Sequence, residues 1–355
     1  MKKLALLIAV ALTASPRPPA QVPAPLPEIA ADAARNDQYP AKNAAFANGV
    51  TSIADLQYWS PVGYRPLTLD LYLPPVSIRP PATGFPLVIQ IHGGAFMGGD
   101  KRLILPFVDW PSVLASLAAR GFVVASINYR LSGEARFPAQ AQDVKAAVRW
   151  LRLNAVKYTI DPGRAVTWGQ SAGGHLASLT AVSCGAAALS PSGFPPAPGS
   201  SDVTVATVSD CVQGAVAWFG LFDLATLQEQ AREVKALSRD DAGAPEWRLL
   251  GCFAAACSPS QVAAASPVSY VDRSDPPMLL IVGSDDTLIP TKQTIDMAER
   301  LTAAGVKHDL IVLPGVGHSF IGGTVEATRD ANLKALAATY DFIDRTIGNR
   351  ASTAR

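Results

Sequence analysis

From about residue 65 onward the chain alternates between short apolar runs and longer runs whose apolar positions recur three or four residues apart. Residues 67–74 (LTLDLYLP) place polar positions between apolar ones, the pattern of a strand with one wet face. Residues 85–93 (FPLVIQIHG) and 121–130 (GFVVASINYR) are near-continuous aliphatic runs bounded by glycine, as strands buried on both faces are. Between them, 107–120 has helical spacing and stops at Gly121. Residues 138–154 interleave Ala, Val, Trp150 and Leu151 with Lys and Arg behind Pro138, which predicts an amphipathic helix with proline at its start. AVTWGQ (165–170) reads as a strand running straight into a helical SAGGHLASLTAVS. Three more strands are expected at 212–220, 277–283 and 308–315, with helices at 291–304 and 325–346. Alternating β and α units with largely apolar strands predict an α/β fold, a mostly parallel central sheet with helices on both faces. Residues 221–276 break the rhythm with a polar helix (224–237), a small loop holding two cysteines, and AASPVSYV. That stretch is expected to be a small insertion after a strand's C-terminal end, near the active site, where open α/β sheets bind ligands.

The N-terminus follows another logic. MKKLALLIAVALTA puts two lysines before an almost unbroken apolar run, the pattern of a secretory signal peptide. The run is too short for a spanning helix, which needs about 20 residues. The next stretch, SPRPPAQVPAPLPEIAADAA, is dense in proline and is expected to be an extended tether. The expected organisation is a signal peptide at 1–20, a Pro/Ala-rich linker at 21–45, and one α/β domain at 46–350. Secretion or a periplasmic location follows, with no stable membrane insertion.

Composition narrows the function. With 49% hydrophobic residues the 355-residue chain has ample core material, which excludes a disordered protein. Thirty Lys plus Arg against 29 Asp plus Glu leave a net charge of +1, so no nucleic-acid partner is expected.

The sharpest chemical signal is Gly169-Gln170-Ser171-Ala172-Gly173, placed between a strand and a helix. A serine on such a turn is lifted above the sheet edge, and the crowded turn demands small neighbours. A second signal, His92-Gly93-Gly94-Ala95-Phe96, follows directly on the strand at 85–91. Ester cleavage creates an oxyanion that needs preorganised N–H donors, and the amides of Gly93, Gly94 and Ala172 are the candidates. A phosphate-loop reading of HGGAFMGGDK fails because no G-K-[ST] closes it.

A serine nucleophile needs a base, and there are four histidines. His92 belongs to the glycine loop and is expected to hold it. His175 lies one turn into the helix after Ser171 and reads as a packing group, although it stays close enough to compete. His308 opens a strand. His318 sits in a glycine loop (GVGHSF) after the strand at 308–315, where a base can reach Ser171. The orienting acid should follow the preceding strand, in the order Ser, Asp, His. Asp285 and Asp286 both stand there. Asp286 is preferred, because three residues past Gly283 the chain can turn back over the edge.

Taken together, LTLDLYLP, HGGAF, GQSAGGHLA, DPPMLLIVGSDDTLIP and LPGVGHSF resemble the α/β-hydrolase fold serine carboxylesterases with an HGG oxyanion motif. That group includes feruloyl-esterase-like and hormone-sensitive-lipase-like enzymes, and the resemblance spans about residues 58–345. It implies Ser171, Asp286 and His318 as a catalytic triad, with an oxyanion hole at Gly93, Gly94 and Ala172. The hormone-sensitive-lipase-like branch typically has GDSAGG, so Gln170 favours the feruloyl-esterase-like branch. No cofactor is expected, and no metal, since neither H-E-x-x-H nor C-x-x-C occurs.

The expected partner is a small-molecule ester, with a short-chain or aromatic acyl group because 224–237 carries too few large apolar groups for a lipase lid. Phe96, Trp218 and Phe219 flank the site loops and are expected to line the pocket. Two other classes compete: a peptidase of the same fold, which usually carries a large extra domain, and a non-catalytic binding protein that has lost its nucleophile. An exported chain with four cysteines points to disulfides. Cys184 and Cys211 flank the Pro/Gly/Ser-rich loop 185–210, and Cys252 and Cys257 bracket one small loop, which predicts those two pairs.

Overall fold

The computed structural model describes residues 42–191, 208–236, 239, 243–253 and 256–348. The expected signal peptide and the linker up to residue 41 lie outside the described residues. The linker's last four positions do not form a tether. Lys42–Ala45 is an edge strand, β1, paired antiparallel with β2 (Thr51–Trp59).

The remaining strands are β3 (Leu67–Leu73), β4 (Phe85–Ile91), β5 (Val123–Ile127), β6 (Ile160–Gln170), β7 (Gly214–Trp218), β8 (Met278–Gly283) and β9 (His308–Leu313). They form one sheet in the order β1-β2-β3-β5-β4-β6-β7-β8-β9. Pairings from β1 to β5 are antiparallel, and all those from β5 through β9 are parallel. Nine α-helices accompany it among the described residues: α1 (Trp110–Ala118), α2 (Ala139–Leu153), α3 (Ala155–Tyr158), α4 (Ala172–Val182), α5 (Leu227–Glu233), α6 (Pro245–Leu250), α7 (Pro259–Ala265), α8 (Thr291–Ala304) and α9 (Val325–Ile347).

Strand alternation sorts the core onto two faces. Leu87, Ile89 and Ile91 of β4 pack with Val144 and Val148 of α2, Leu176 of α4 and Met297 of α8. Val88, one residue out of phase, joins Trp110 and Leu114 of α1 and Phe342 and Ile343 of α9 on the other face. Each such fully buried aliphatic side chain contributes on the order of 2 kcal/mol.

Two expectations change. The strand expected at 67–74 with one wet face is β3, yet Asp70 and Tyr72 are also buried. Asp70 is inside because Arg102 pairs with it, and Tyr72 because Phe46 and the α1 face cover it. The strand β2 shows no clean period in the sequence because it is bulged. Its register with β3 slips between Ile53 and Leu56, where Asp55 takes φ 57°. In the 221–276 region the single polar helix is shorter than expected, and α6 and α7 stand where the pattern gave no helix.

Candidate active site

Four loops at the C-terminal ends of the parallel strands, the last two acting as a pair, meet at Ser171. The first is the turn from β6 into α4. Ser171 sits between them at φ 53°, ψ −119°, a conformation L-residues avoid, and its N–H donates to the Trp218 carbonyl at 2.9 Å. There is no room for a side chain on the helix's first turn: a Cβ at Gly173 would lie 2.0 Å from the Ile91 carbonyl oxygen. Below the turn, Gln170 accepts a hydrogen bond from Gln90 at 3.0 Å, and Gln90 in turn accepts from Ser126. Neutral amides therefore occupy the place where an aspartate would need a compensating donor or charge.

The second loop follows β4. His92 donates through Nδ1–H to the Gly93 carbonyl at 2.7 Å and stacks on Tyr129, whose hydroxyl donates to the His92 carbonyl. Burial lowers the His92 pKa to about 4, so the ring is neutral and holds the loop by hydrogen bonding. Gly94 has φ 111°, and a Cβ there would meet the Gly98 carbonyl. The amides of Gly93, Gly94 and Ala172 donate to no protein acceptor among the described residues.

The third loop pair follows β8 and β9. His318 Nε2 lies 3.0 Å from Ser171 Oγ, and His318 Nδ1 lies 2.8 Å from Asp286 Oδ2. Asp286 Oδ1 accepts from the amides of Leu288 and Ile289 at 3.0 and 2.9 Å, which fixes the carboxylate. Asp285, the competing acid, is exposed and bonded to the Ser284 hydroxyl. His175, the competing base, is fully buried, with Nδ1 on the Leu221 carbonyl at 2.8 Å, and burial lowers its pKa to about 4. Of nine non-glycine residues with positive φ among the described residues, five lie on these loops, Ala95, Phe96, Ser171, Ser319 and Phe320, and a sixth, Phe219, follows β7 beside them. Backbone strain is thus concentrated around one serine.

The aromatic expectations divide three ways. Phe96 lines a cavity of about 50 Å³ beside Ser171, together with Ala95, Ala172, Leu221, Leu288 and Ile289. Phe219 does not line it: its ring packs edge-on against His318, with centroids 4.6 Å apart. Trp218 is a correction. Its indole lies on the α1/α9 face of the sheet against Trp168 and donates to Thr339 at 2.9 Å, because adjacent strand residues point to opposite faces. The cavity is completed by Arg239, Pro245 and Glu246, which sequence reasoning passed over. Arg239 stands in a polar run that reads as a solvated face, and no motif marks Glu246. Burial raises the Glu246 pKa, and the Arg239 guanidinium beside it opposes the rise.

The expected cysteine pairs are at disulfide distance, with Cα–Cα separations of 4.7 Å for Cys184–Cys211 and 5.2 Å for Cys252–Cys257. Among the described residues no helix is long and apolar enough to cross a membrane.

Against known families, the BD-FAE profile matches residues 69–301, well over half of the chain. The chain belongs to the BD-FAE family. This BD-FAE member is 34% identical over 241 residues to Esterase LipC of Mycobacterium tuberculosis, covering 68% of this chain and 54% of LipC. It is 29% identical to Esterase LipQ of the same organism, covering 81% of this chain and 61% of LipQ. The chain thus spans only about half to three-fifths of the length of these curated relatives. Among solved structures it superimposes on a truncated form of carbohydrate esterase from gut microbiota with a TM-score of 0.66 at 30% identity, covering 85% of this chain and 98% of that one. A thermophilic esterase of Thermogutta terrifontis, at 23% identity and TM-score 0.62, shares the fold. The α/β-hydrolase fold expected from the motifs is the fold of this protein.

Proposed function

We propose that this BD-FAE protein is a serine esterase that hydrolyses short-chain or aromatic carboxylic esters. The observation that carries the reading is the continuous relay from Ser171 Oγ through His318 to Asp286, at 3.0 and 2.8 Å, beside three free amides. In that reading His318 Nε2 accepts the Ser171 proton as Oγ attacks the carbonyl carbon. The amides of Gly93, Gly94 and Ala172 donate to the developing oxyanion. Protonated His318 returns its proton to the leaving alcohol, leaving an acyl-serine. Water then gives a proton to His318 and attacks the acyl carbon, which releases the acid and restores Ser171. Asp286 holds the Nδ1–H of His318 and stabilises the imidazolium. The names of LipC, LipQ and the carbohydrate esterase support the reaction class. The two cysteine pairs support a secreted or periplasmic location.

One observation favours a second reading, a lipase that acts at an interface. Val108, Ile321, Val325 and Leu333 are half or more exposed around a groove of about 750 Å³, outside the 221–276 region. That apolar face was not visible in the insertion. A series of p-nitrophenyl esters from acetate to palmitate, with methyl ferulate and a peptide p-nitroanilide alongside, tests both. A kcat/KM maximum at short or aromatic acyl groups is expected. A long-chain maximum with activation at lipid droplets would replace it with the lipase, and anilide cleavage alone with a peptidase. Turnover of none, with no fluorophosphonate label on Ser171, would leave a binding protein.

A further inference from the structure

A base that passes protons through Nε2 has to keep its ring steady while they arrive and leave. The bond from His318 Nδ1 to Asp286 Oδ2, at 2.8 Å, fixes one ring atom and leaves the ring able to pivot about it. The contact from Nε2 to Ser171 Oγ is the one the proposed reaction breaks and remakes. A steady ring therefore needs a further contact that takes no part in proton transfer. Phe219 provides one: its ring meets the imidazole with centroids 4.6 Å apart and planes at 64°. Behind it stands Phe320, at 4.8 Å, and Phe320 in turn packs on Trp218 at 5.3 Å. All three side chains are buried.

The backbone holds this ring in place under strain. Phe219 stands at φ 39°, a conformation that L-residues rarely adopt and that persists only where the surroundings impose it. Both ends of the Trp218–Phe219 peptide group are tied. Its carbonyl accepts the Ser171 N–H at 2.9 Å, and its N–H donates to the Ile281 carbonyl of β8 at 2.7 Å. One peptide thus links the serine turn to the strand that leads into the Asp286 loop, and the side chain it carries next bears on the base. We infer that Phe219 is a positioning residue for His318, setting the tilt of the imidazole so that Nε2 stays directed at Ser171 Oγ and the leaving oxygen. Phe219 does not line the cavity and carries no proton, so it acts only through His318. This inference rests on the esterase reading above. A misplaced Nε2 is felt most where His318 must deliver a proton.

The leaving group separates positioning from packing. An alkoxide needs a proton from His318 in order to leave, whereas p-nitrophenolate departs without one. In Phe219→Ala, kcat/KM per fluorophosphonate-titrated serine is expected to fall about 100-fold on ethyl butyrate but only about tenfold on p-nitrophenyl butyrate. Phe219→Leu, which keeps an apolar filler, is expected to show the same skew with smaller losses. Phe122→Leu is the control. It trims a buried ring at the N-terminal end of β5, the sheet edge opposite the site, and should keep the wild-type ratio of the two esters. Several outcomes would overturn the assignment: losses that are equal or larger on the nitrophenyl ester, losses below about twofold on both, or the same skew in Phe122→Leu. Loss of folding in both Phe219 variants would do so too, by making Phe219 a core residue only. Failure of the esterase reading looks different, with wild-type turnover of neither ester.

Discussion

The loops around Ser171 and the 221–276 segment border the same cavity but are held in different ways. The Ser171 loops grow from central strands, and backbone meets backbone: a Cβ at Gly173 would fall 2.0 Å from the Ile91 carbonyl, and one at Gly93 2.8 Å from the Gln170 carbonyl. The other segment has helices of seven, six and seven residues, too short to be stable alone. It packs on its own small cluster, Leu224, Leu227, Trp247 and Leu250 among them, with Cys252 and Cys257 at disulfide distance. In the proposed esterase reading the backbone under the reacting atoms is therefore held by contacts with no room for a side chain, whereas the facing wall rests on side-chain packing and is joined to the Asp286 loop through the Arg239 bond to Leu288. The proposed reading expects changes in that wall to act on specificity more than on chemistry.

The strongest way to break that contrast is at the serine. Ser171→Ala is expected to lower kcat on p-nitrophenyl butyrate by several orders of magnitude with an unchanged circular dichroism spectrum, since it removes the covalent route. Retention of more than about a tenth of wild-type turnover would remove Ser171 from the mechanism.

Next comes the acid. Asp286→Asn is expected to cost up to about 10⁴-fold in kcat, because an amide there favours the wrong tautomer of His318. Asp285→Asn, on an exposed turn residue, should change kcat by less than about twofold. Equal losses would void the choice between the two.

Removing the cysteine pairs compares the segments by stability. By loop-closure entropy, Cys184→Ser/Cys211→Ser, spanning 27 residues, should cost about 3.5 kcal/mol, and Cys252→Ser/Cys257→Ser, spanning 5, about 2 kcal/mol. The second variant should raise KM more than it lowers kcat, because that pair packs in the cluster behind the proposed substrate wall. Denaturant titration and steady-state kinetics read both, and a purely kcat effect would contradict the separation.

The last comparison concerns pH. His92 and His175 are held neutral by burial, with pKa lowered from 6.5 to about 4. Below pH 6.5 the unfolded chain takes up protons that the folded chain refuses. Each histidine therefore withdraws stability as pH falls from 6.5 to about 4, by up to about 3 kcal/mol, and adds nothing further below that. Asp143 and Asp275, raised by burial to about 6, act in the opposite sense as they take up protons in the fold first. The readout is thus a difference: His175→Gln should lose less Tm than wild type between pH 7 and pH 4.5. Parallel Tm curves for the two proteins would refute the buried neutral ring.

Features that short-range chemistry dictates were legible in the chain alone. Apolar runs marked the parallel strands β4 to β8, and the spacing of glycines around Ser171 and after His92 announced turns with no space for side chains. The chain order of Ser171, Asp286 and His318 was legible because each follows a strand, and parallel strands deliver their C-terminal ends to one edge. Contacts between residues distant in the chain set the rest. They set Asp286 rather than Asp285 against His318, because two Asp286-capped amides turn that carboxylate inward. They carried the Trp218 indole to the far face while its backbone supports Ser171, since alternation along β7 depends on which face the helices α1 and α9 cover. The strand β2 stayed hidden because a bulge at Asp55 erases the period of two. Arg239 and Glu246 were invisible for a related reason: a charged residue reads as solvated until a neighbour distant in the fold buries it, and burial is a property of packing rather than of the residue.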